Sequence, residues 1–199
     1  MRMRIGILGG TYDPIHNGHI HIGQHVADQL GLTQILLIPS RTPPHRPAPQ
    51  ATSQQRMAMC QLAAPGDPRF GVSDIELRRS GPSYTIDTLE ALAHEAATLL
   101  LILGADAAAL LPQWYRAPDL GRVCELVVVN RPGTAIDSTP IVTAIPTLAG
   151  RVHTIHAPEY DVSSSMVRQR CAAGQSITDL VPPRVAEYIA HHGLYRSAS

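Results

Sequence analysis

The chain opens on an apolar run, RIGILG (residues 4–9), and then repeats one alternation to its end: a short apolar run, a turn, and a stretch whose apolar residues fall three and four apart. Apolar runs of a few residues bounded by Gly, Pro, Asn or Ser read as buried strands, and the wider spacing reads as helix. The pattern predicts strands at 4–9, 34–40 and 70–77, within 98–106 and 124–133, and at 152–158. It predicts helices at 19–31, stopped by Gly31, at 53–64, at 83–96 with its start near Thr85, at about 164–174 and at about 183–192. RTPPHRPAPQA (41–51) is a Pro-rich loop, too rigid for a helix and too long for a tight turn. GTAIDSTPIVTAIPTLAG (133–150) is rich in small residues yet too apolar for a disordered linker.

Strands that are apolar at nearly every position need cover on both faces, and alternation with helices makes the sheet parallel. The expected fold is therefore α/β: a doubly wound, Rossmann-like parallel sheet with helices on both faces. The 199 residues fit one domain spanning 1–199, and neither an internal repeat nor a linker divides them.

Composition narrows the function. A 44% hydrophobic content suits a globular protein, and a formal net charge of zero argues against a dedicated nucleic-acid or membrane surface. No stretch approaches the roughly 20 apolar residues of a membrane span, and the first apolar run is too short for a secretion signal. Cys60, Cys124 and Cys171 are odd in number, scattered and without C-x-x-C spacing. They read as free buried thiols in a reducing cytoplasm. All sixteen basic residues are arginine, so no lysine can act as nucleophile or phosphate clamp.

In such folds ligands bind beyond the C-terminal strand ends. ILGGTYDPIHNGHI (7–20) lies there. Gly9 and Gly10 allow close approach of backbone to ligand, Asp13-Pro14 makes a turn, Asn17 can cap the next helix, and that helix start offers N–H groups and a positive dipole end to an anion. His16 and His19, three apart, share one face beside it. The stretch looks built to hold phosphates against two imidazoles, although it is neither G-x-G-x-x-G nor a P-loop. An ordinary turn followed by surface histidines fits the same letters. Zinc on His16, His19, His21 and His25 is disfavoured, because His21 faces away from His19 and no Cys or carboxylate joins them at ligand spacing.

GGTYDPIHNGH resembles the H-x-G-H signature of the nucleotidyltransferase superfamily. PSRTPPHR (39–46), SYTIDTLEAL (83–92), LGAD (103–106) with WYRAPDL (114–120), VNRPG (129–133), VSSSMVRQRCAAG (162–174) and LVPPRVAEYIAHHGLY (180–195) follow in order. Together they resemble bacterial nicotinate-nucleotide adenylyltransferases over nearly the whole chain. The resemblance implies adenylyl transfer from ATP to nicotinate mononucleotide, giving nicotinate adenine dinucleotide and pyrophosphate, with magnesium on the ATP phosphates. It implies ATP contacts at Gly9, Gly10, Thr11, His16, His19, Gly104, Asp106, Ser163, Ser164, Ser165 and Arg168, with His16, His19 and Arg168 catalytic. For the mononucleotide it implies Ser40, His45, Arg46, Thr85, Ile86, Asp106, Trp114, Tyr115 and Arg131, with Trp114 stacking on the pyridine. The family usually has Lys where Arg46 stands and Thr where Ser165 stands. Sister enzymes adenylylating nicotinamide mononucleotide or phosphopantetheine, and a nucleotide sensor without turnover, share parts of this pattern. Oligomeric state is not legible in the sequence.

Overall fold

The computed structural model describes residues 3–42, 48–93, 97–130, 137–158 and 160–196. β1 (Met3–Gly10), α1 (Asn17–Leu30), β2 (Gln34–Pro39), α2 (Ser53–Ala63) and β3 (Phe70–Val72) wind in one direction. After α3 (Ile75–Arg78) and α4 (Thr85–Leu92) the chain crosses to β4 (Ala97–Gly104) on the other side of β1. It continues through α5 (Ala105–Ala109), α6 (Leu120–Val123), β5 (Glu125–Asn130), α7 (Thr139–Ala144), β6 (Val152–His156), α8 (Ser164–Ala172) and α9 (Pro183–His191). The sheet order is β3-β2-β1-β4-β5-β6 with every pairing parallel.

The two-residue period of the strands divides the core in two. Leu8, Leu100, Ile102, Val127 and Val129 face one cluster, which includes Val26 of α1, Met59 of α2, Val167 of α8 and Ile189 of α9. Their neighbours Ile7, Leu99, Leu101, Leu126 and Val128 face the other, with Leu89 of α4, Leu120 of α6 and Ile141 of α7. Both faces being apolar is why these strands read as unbroken apolar runs. The doubly wound sheet expected from the sequence is the one found.

Four features depart from expectation by more than a residue or two at an element's end. The strand expected over 70–77 stops at Val72, and 75–78 is a helical turn that buries Glu76. The helix expected over 83–96 is described as Thr85–Leu92. The unassigned 133–150 stretch contains α7, with Pro140 in its first turn, where a missing N–H costs nothing. His16 rather than Asn17 caps α1, and the Asn17 side chain instead donates to the Asp179 carbonyl at 3.1 Å.

Winding reverses between β1 and β4. Chains leaving these neighbouring strands diverge to opposite faces, which opens a crevice at their C-terminal ends.

Candidate active site

The crevice is a cleft of about 710 Å³. One wall is the turn after β1. His16, at the N-cap of α1, has extended backbone (φ −141°), and its N–H donates to His19 Nδ1 at 3.2 Å. The two imidazoles stack with centroids 3.7 Å apart, and Tyr12 meets His19 edge-on at 5.0 Å. Tyr12 has a left-handed backbone (φ 52°), and its hydroxyl donates to the Leu8 carbonyl. A Cβ on Gly10 would sit 3.1 Å from the Tyr12 ring, so this glycine makes room for the turn to close. Because His19 Nδ1 accepts a hydrogen bond, it is unprotonated and the neutral ring carries its proton on Nε2.

His16 is 8% exposed, and burial lowers its pKa from 6.5 to about 4. The folded chain therefore keeps the ring neutral through a range where the unfolded chain binds a proton, and stability attributable to this residue is lost as pH falls through that window. Urea unfolding of wild type against His16→Asn should show the stability difference moving in the variant's favour by on the order of 2 kcal/mol between about pH 7 and about pH 4.5. A difference that stays flat would mean His16 is solvated and titrates normally.

Buried polar groups brace the turn. Asp13 accepts from the backbone N–H groups of Gln50 (2.8 Å) and Ala51 (3.0 Å) and from the Tyr195 hydroxyl (2.8 Å). Arg56, 1% exposed, donates from Nη1 to the carbonyls of Thr11 and Ser40, both at 2.7 Å. Burial lowers the Arg56 pKa, and the field of Asp13 opposes that shift. The first turn of α8 docks here too. Ser164 Oγ donates to the Pro14 carbonyl at 2.8 Å, and Arg168 Nη1 donates to the Asp13 carbonyl at 2.7 Å. Two helix N-termini, those of α1 and α8, thus meet at one turn, giving the converging positive potential that anions seek.

The opposite wall is the start of α4 with the segment after α5. Tyr84 supplies no side-chain cap to α4, and the first N–H groups of a helix have no partner within it. Behind them Glu76, 8% exposed, accepts from Thr88 Oγ1 at 2.8 Å. Arg79 Nη2 donates to the Tyr84 carbonyl and to Thr88 Oγ1, both at 3.1 Å. Burial raises the Glu76 pKa above the usual carboxylate value, and the hydrogen bond from Thr88 and the charge of Arg79 oppose that shift. Trp114 packs partly against the second core cluster and partly lines the cleft. The Tyr115 ring lies 4.3 Å from that of Tyr84.

Of the residues singled out in the sequence, Gly9, Gly10, Thr11, His19, Ser40, Thr85, Ile86, Asp106, Trp114, Tyr115 and Ser164 line this one cleft. Ser40 Oγ is buried there without a hydrogen-bond partner among the described residues. His16 lies directly behind His19. Gly104 ends β4 and precedes Asp106 by two residues. Ser163 caps α8, accepting from the Met166 N–H at 3.1 Å, and Ser165 accepts from Arg168 Nη2 at 3.2 Å. His45, Arg46 and Arg131 lie outside the described residues. Arg56, Glu76, Arg79 and Tyr195 were not singled out, and Asp13 was read only as part of a turn, not as the acceptor that braces it. Their partners are up to 182 positions away, and nothing local in the sequence marks them.

Other chemistries find little footing. Cys60 and Cys124 are buried, with burial pushing the Cys124 thiol up to about 12 and Cys60 higher still; Cys171, expected to be buried, is half-buried. Among the described residues no group of three His, Cys, Asp or Glu side chains is placed to hold a metal ion, and His21 stacks on Tyr160 instead.

A sequence profile of the cytidylyltransferase-like family matches residues 7–170. A probable nicotinate-nucleotide adenylyltransferase of Roseiflexus sp. (strain RS-1) is 45% identical over 194 residues, covering 96% of this chain and 98% of its own. That of Dehalococcoides mccartyi is 43% identical over 198 residues, covering 97% of each. The chain belongs to the nicotinate-nucleotide adenylyltransferase family. The solved structure of Plasmodium falciparum nicotinic acid mononucleotide adenylyltransferase complexed with NaAD superposes with a TM-score of 0.78 over 97% of both chains. At 21% identity, that likeness shows that the adenylyltransferase fold is shared. Among the described residues no helix is long and apolar enough to cross a membrane.

Proposed function

We propose that the protein transfers the adenylyl group of ATP to nicotinate mononucleotide, forming nicotinate adenine dinucleotide and pyrophosphate. The observation that carries this reading is the pairing of an anion-binding turn and a stacking wall across one cleft, in a chain of this family. An oxygen of the mononucleotide 5′-phosphate attacks the α-phosphorus in line, and the bond to the pyrophosphate oxygen breaks. The nucleophile is already an anion, so no buried thiol or general base is required, and catalysis consists of positioning and charge stabilisation.

The backbone at Gly9, Gly10 and Thr11 and the N-terminus of α8 hold the ATP phosphates. His19 donates from Nε2 to a phosphate oxygen as charge moves toward the leaving group, while His16 sets its tautomer and ring plane. Arg168 adds positive potential beside Ser163–Ser165. Asp106 accepts from ribose hydroxyls beyond Gly104. Ser40, His45, Arg46 and Arg131 are proposed for the mononucleotide's ribose and phosphate. Thr85, Ile86 and Tyr115 offer backbone N–H groups to its carboxylate, and Trp114 offers its face to the pyridine.

Magnesium fits as a passenger on ATP. The ion prefers phosphate oxygens and water with few protein ligands, and both carboxylate oxygens of Asp13, the acid nearest the turn, are already taken by Gln50, Ala51 and Tyr195. When bound it neutralises charge on the polyphosphate. The free cysteines suit a cytoplasmic enzyme.

Steady-state kinetics of Trp114→Ala test the placement of the two substrates. The KM for nicotinate mononucleotide should rise roughly tenfold, from the loss of about 1–3 kcal/mol of ring stacking, with the KM for ATP unchanged. A rise confined to ATP would put Trp114 on the adenine side.

A further inference from the structure

The cleft's stacking wall is assembled from two pieces of chain far apart in sequence: Trp114–Tyr115 after α5, and the start of α4. The wall works only if these pieces keep their relative position. Leu111 and Ala117, both essentially buried, anchor the first piece at either end, but Trp114, Tyr115 and Arg116 between them are more exposed. Arg116 takes a left-handed backbone (φ 52°), a conformation that costs a branched or long side chain free energy unless something holds it there. Backbone hydrogen bonds from the Asp119 N–H to the Arg116 carbonyl (2.9 Å) and from the Ala117 N–H to the Trp114 carbonyl (3.1 Å) close the turn within its own segment, and charge ties it to α4. Arg116 Nη1 and Nη2 fork onto the Glu90 carboxylate of α4 at 3.1 and 2.7 Å, and Nε donates to Asp119 at 2.9 Å. Asp87, in the first turn of α4, lies 3.9 Å from Nη1. One guanidinium therefore serves three carboxylates, two of them on the helix whose start faces the ligand.

We propose that Arg116 is a positioning residue for the pyridine nucleotide: its fork onto Glu90 fixes Trp114 and Tyr115 at a set distance from the Thr85 and Ile86 N–H groups. This rests on the reading of the cleft as a nicotinate mononucleotide site. The residue touches no substrate. It acts through the segment it clamps. Isolated exposed ion pairs contribute little, but a bidentate Arg–carboxylate contact within a network is the geometry in which such pairs do count. Lysine could not replace it, since a single ammonium cannot span Glu90 and Asp119 with a planar fork.

Two variants separate the clamp from backbone strain. Arg116→Asn removes the fork with a side chain that tolerates the left-handed backbone. Glu90→Gln leaves residue 116 untouched and removes the charge it grips. Each should raise the KM for nicotinate mononucleotide by roughly fivefold, with kcat within about twofold and the ATP KM unchanged. The double variant should be no worse than the poorer single one, because both remove the same contact. Arg122→Ala is the control: Arg122 also pairs with Asp119, at 3.2 Å, but among the described residues it forms no ion pair with α4. That variant should behave as wild type. A direct readout independent of turnover comes from Trp114, the sole tryptophan. Acrylamide should quench its fluorescence more readily in Arg116→Asn and Glu90→Gln than in wild type or Arg122→Ala. Unchanged quenching and an unchanged KM in both clamp variants would overturn the proposal, as would additive losses in the double variant. If wild type failed to adenylylate nicotinate mononucleotide, the reading of the function would fall, and quenching alone would still decide whether the clamp exists.

Discussion

His19→Ala should lower kcat by roughly a hundredfold while nucleotide KM values move only a few-fold, since one preorganised donor aimed at developing phosphate charge is worth on the order of 3 kcal/mol. The geometry explains why the effect falls on kcat. His19 Nδ1 is occupied by the His16 N–H, so Nε2 is the donor nitrogen, and its direction is fixed by the stack with His16 and the edge contact with Tyr12. A donor held in place before substrate arrives needs no reorganisation as charge shifts to the leaving pyrophosphate. Protonation at Nδ1 would break the bond from the His16 N–H. Single-turnover rates with saturating ATP and nicotinate mononucleotide measure the effect without product release. A variant that keeps half of the wild-type rate would remove His19 from the chemistry.

How much of this was legible in the chain depends on whether the determinant is local. β4 and β5 were plain because both faces of each strand are apolar, which leaves no alternation to misread. The turn at residues 9–19 was plain because glycine, proline and histidine at those spacings impose backbone shape and chemistry within a few residues. The strand expected over 70–77 failed where Asp74-Ile75-Glu76 continued an apparent alternation. Glu76 is instead turned inward by a helical turn and held by Thr88, twelve positions on. Arg56 reads as a surface residue of α2, and its burial follows from carbonyls of residues 11 and 40 that no local pattern brings to it. Arg116 likewise reads as a polar residue beside a Pro turn, with Asp119 three positions on, and its partners Asp87 and Glu90 are apparent only once α4 is placed.

The acceptor preference carries the second large effect. Nicotinate and nicotinamide mononucleotides differ only in carboxylate against carboxamide. The wall proposed to meet this group offers the uncapped start of α4, whose first N–H groups have no partner within the helix and lie at its positive dipole end. The chain has no lysine to strengthen that field, so backbone donors carry the preference. Glu76, which also lines the cleft, accepts from Thr88, and the Arg79 guanidinium on that same hydroxyl sets a positive charge beside it. A carboxylate accepts from every donor offered. A carboxamide turns its own N–H₂ toward some of them and leaves donors unpaired in a site closed by Trp114, and a mismatch of that kind discriminates strongly.

Pyrophosphate release with ATP, magnesium and each acceptor in turn is the most direct test of the central claim. The account predicts kcat/KM for nicotinate mononucleotide at least roughly a hundredfold above that for nicotinamide mononucleotide, and no turnover of phosphopantetheine, which has no ring to lay on Trp114. Comparable values for the two mononucleotides, or release driven by phosphopantetheine, would contradict it.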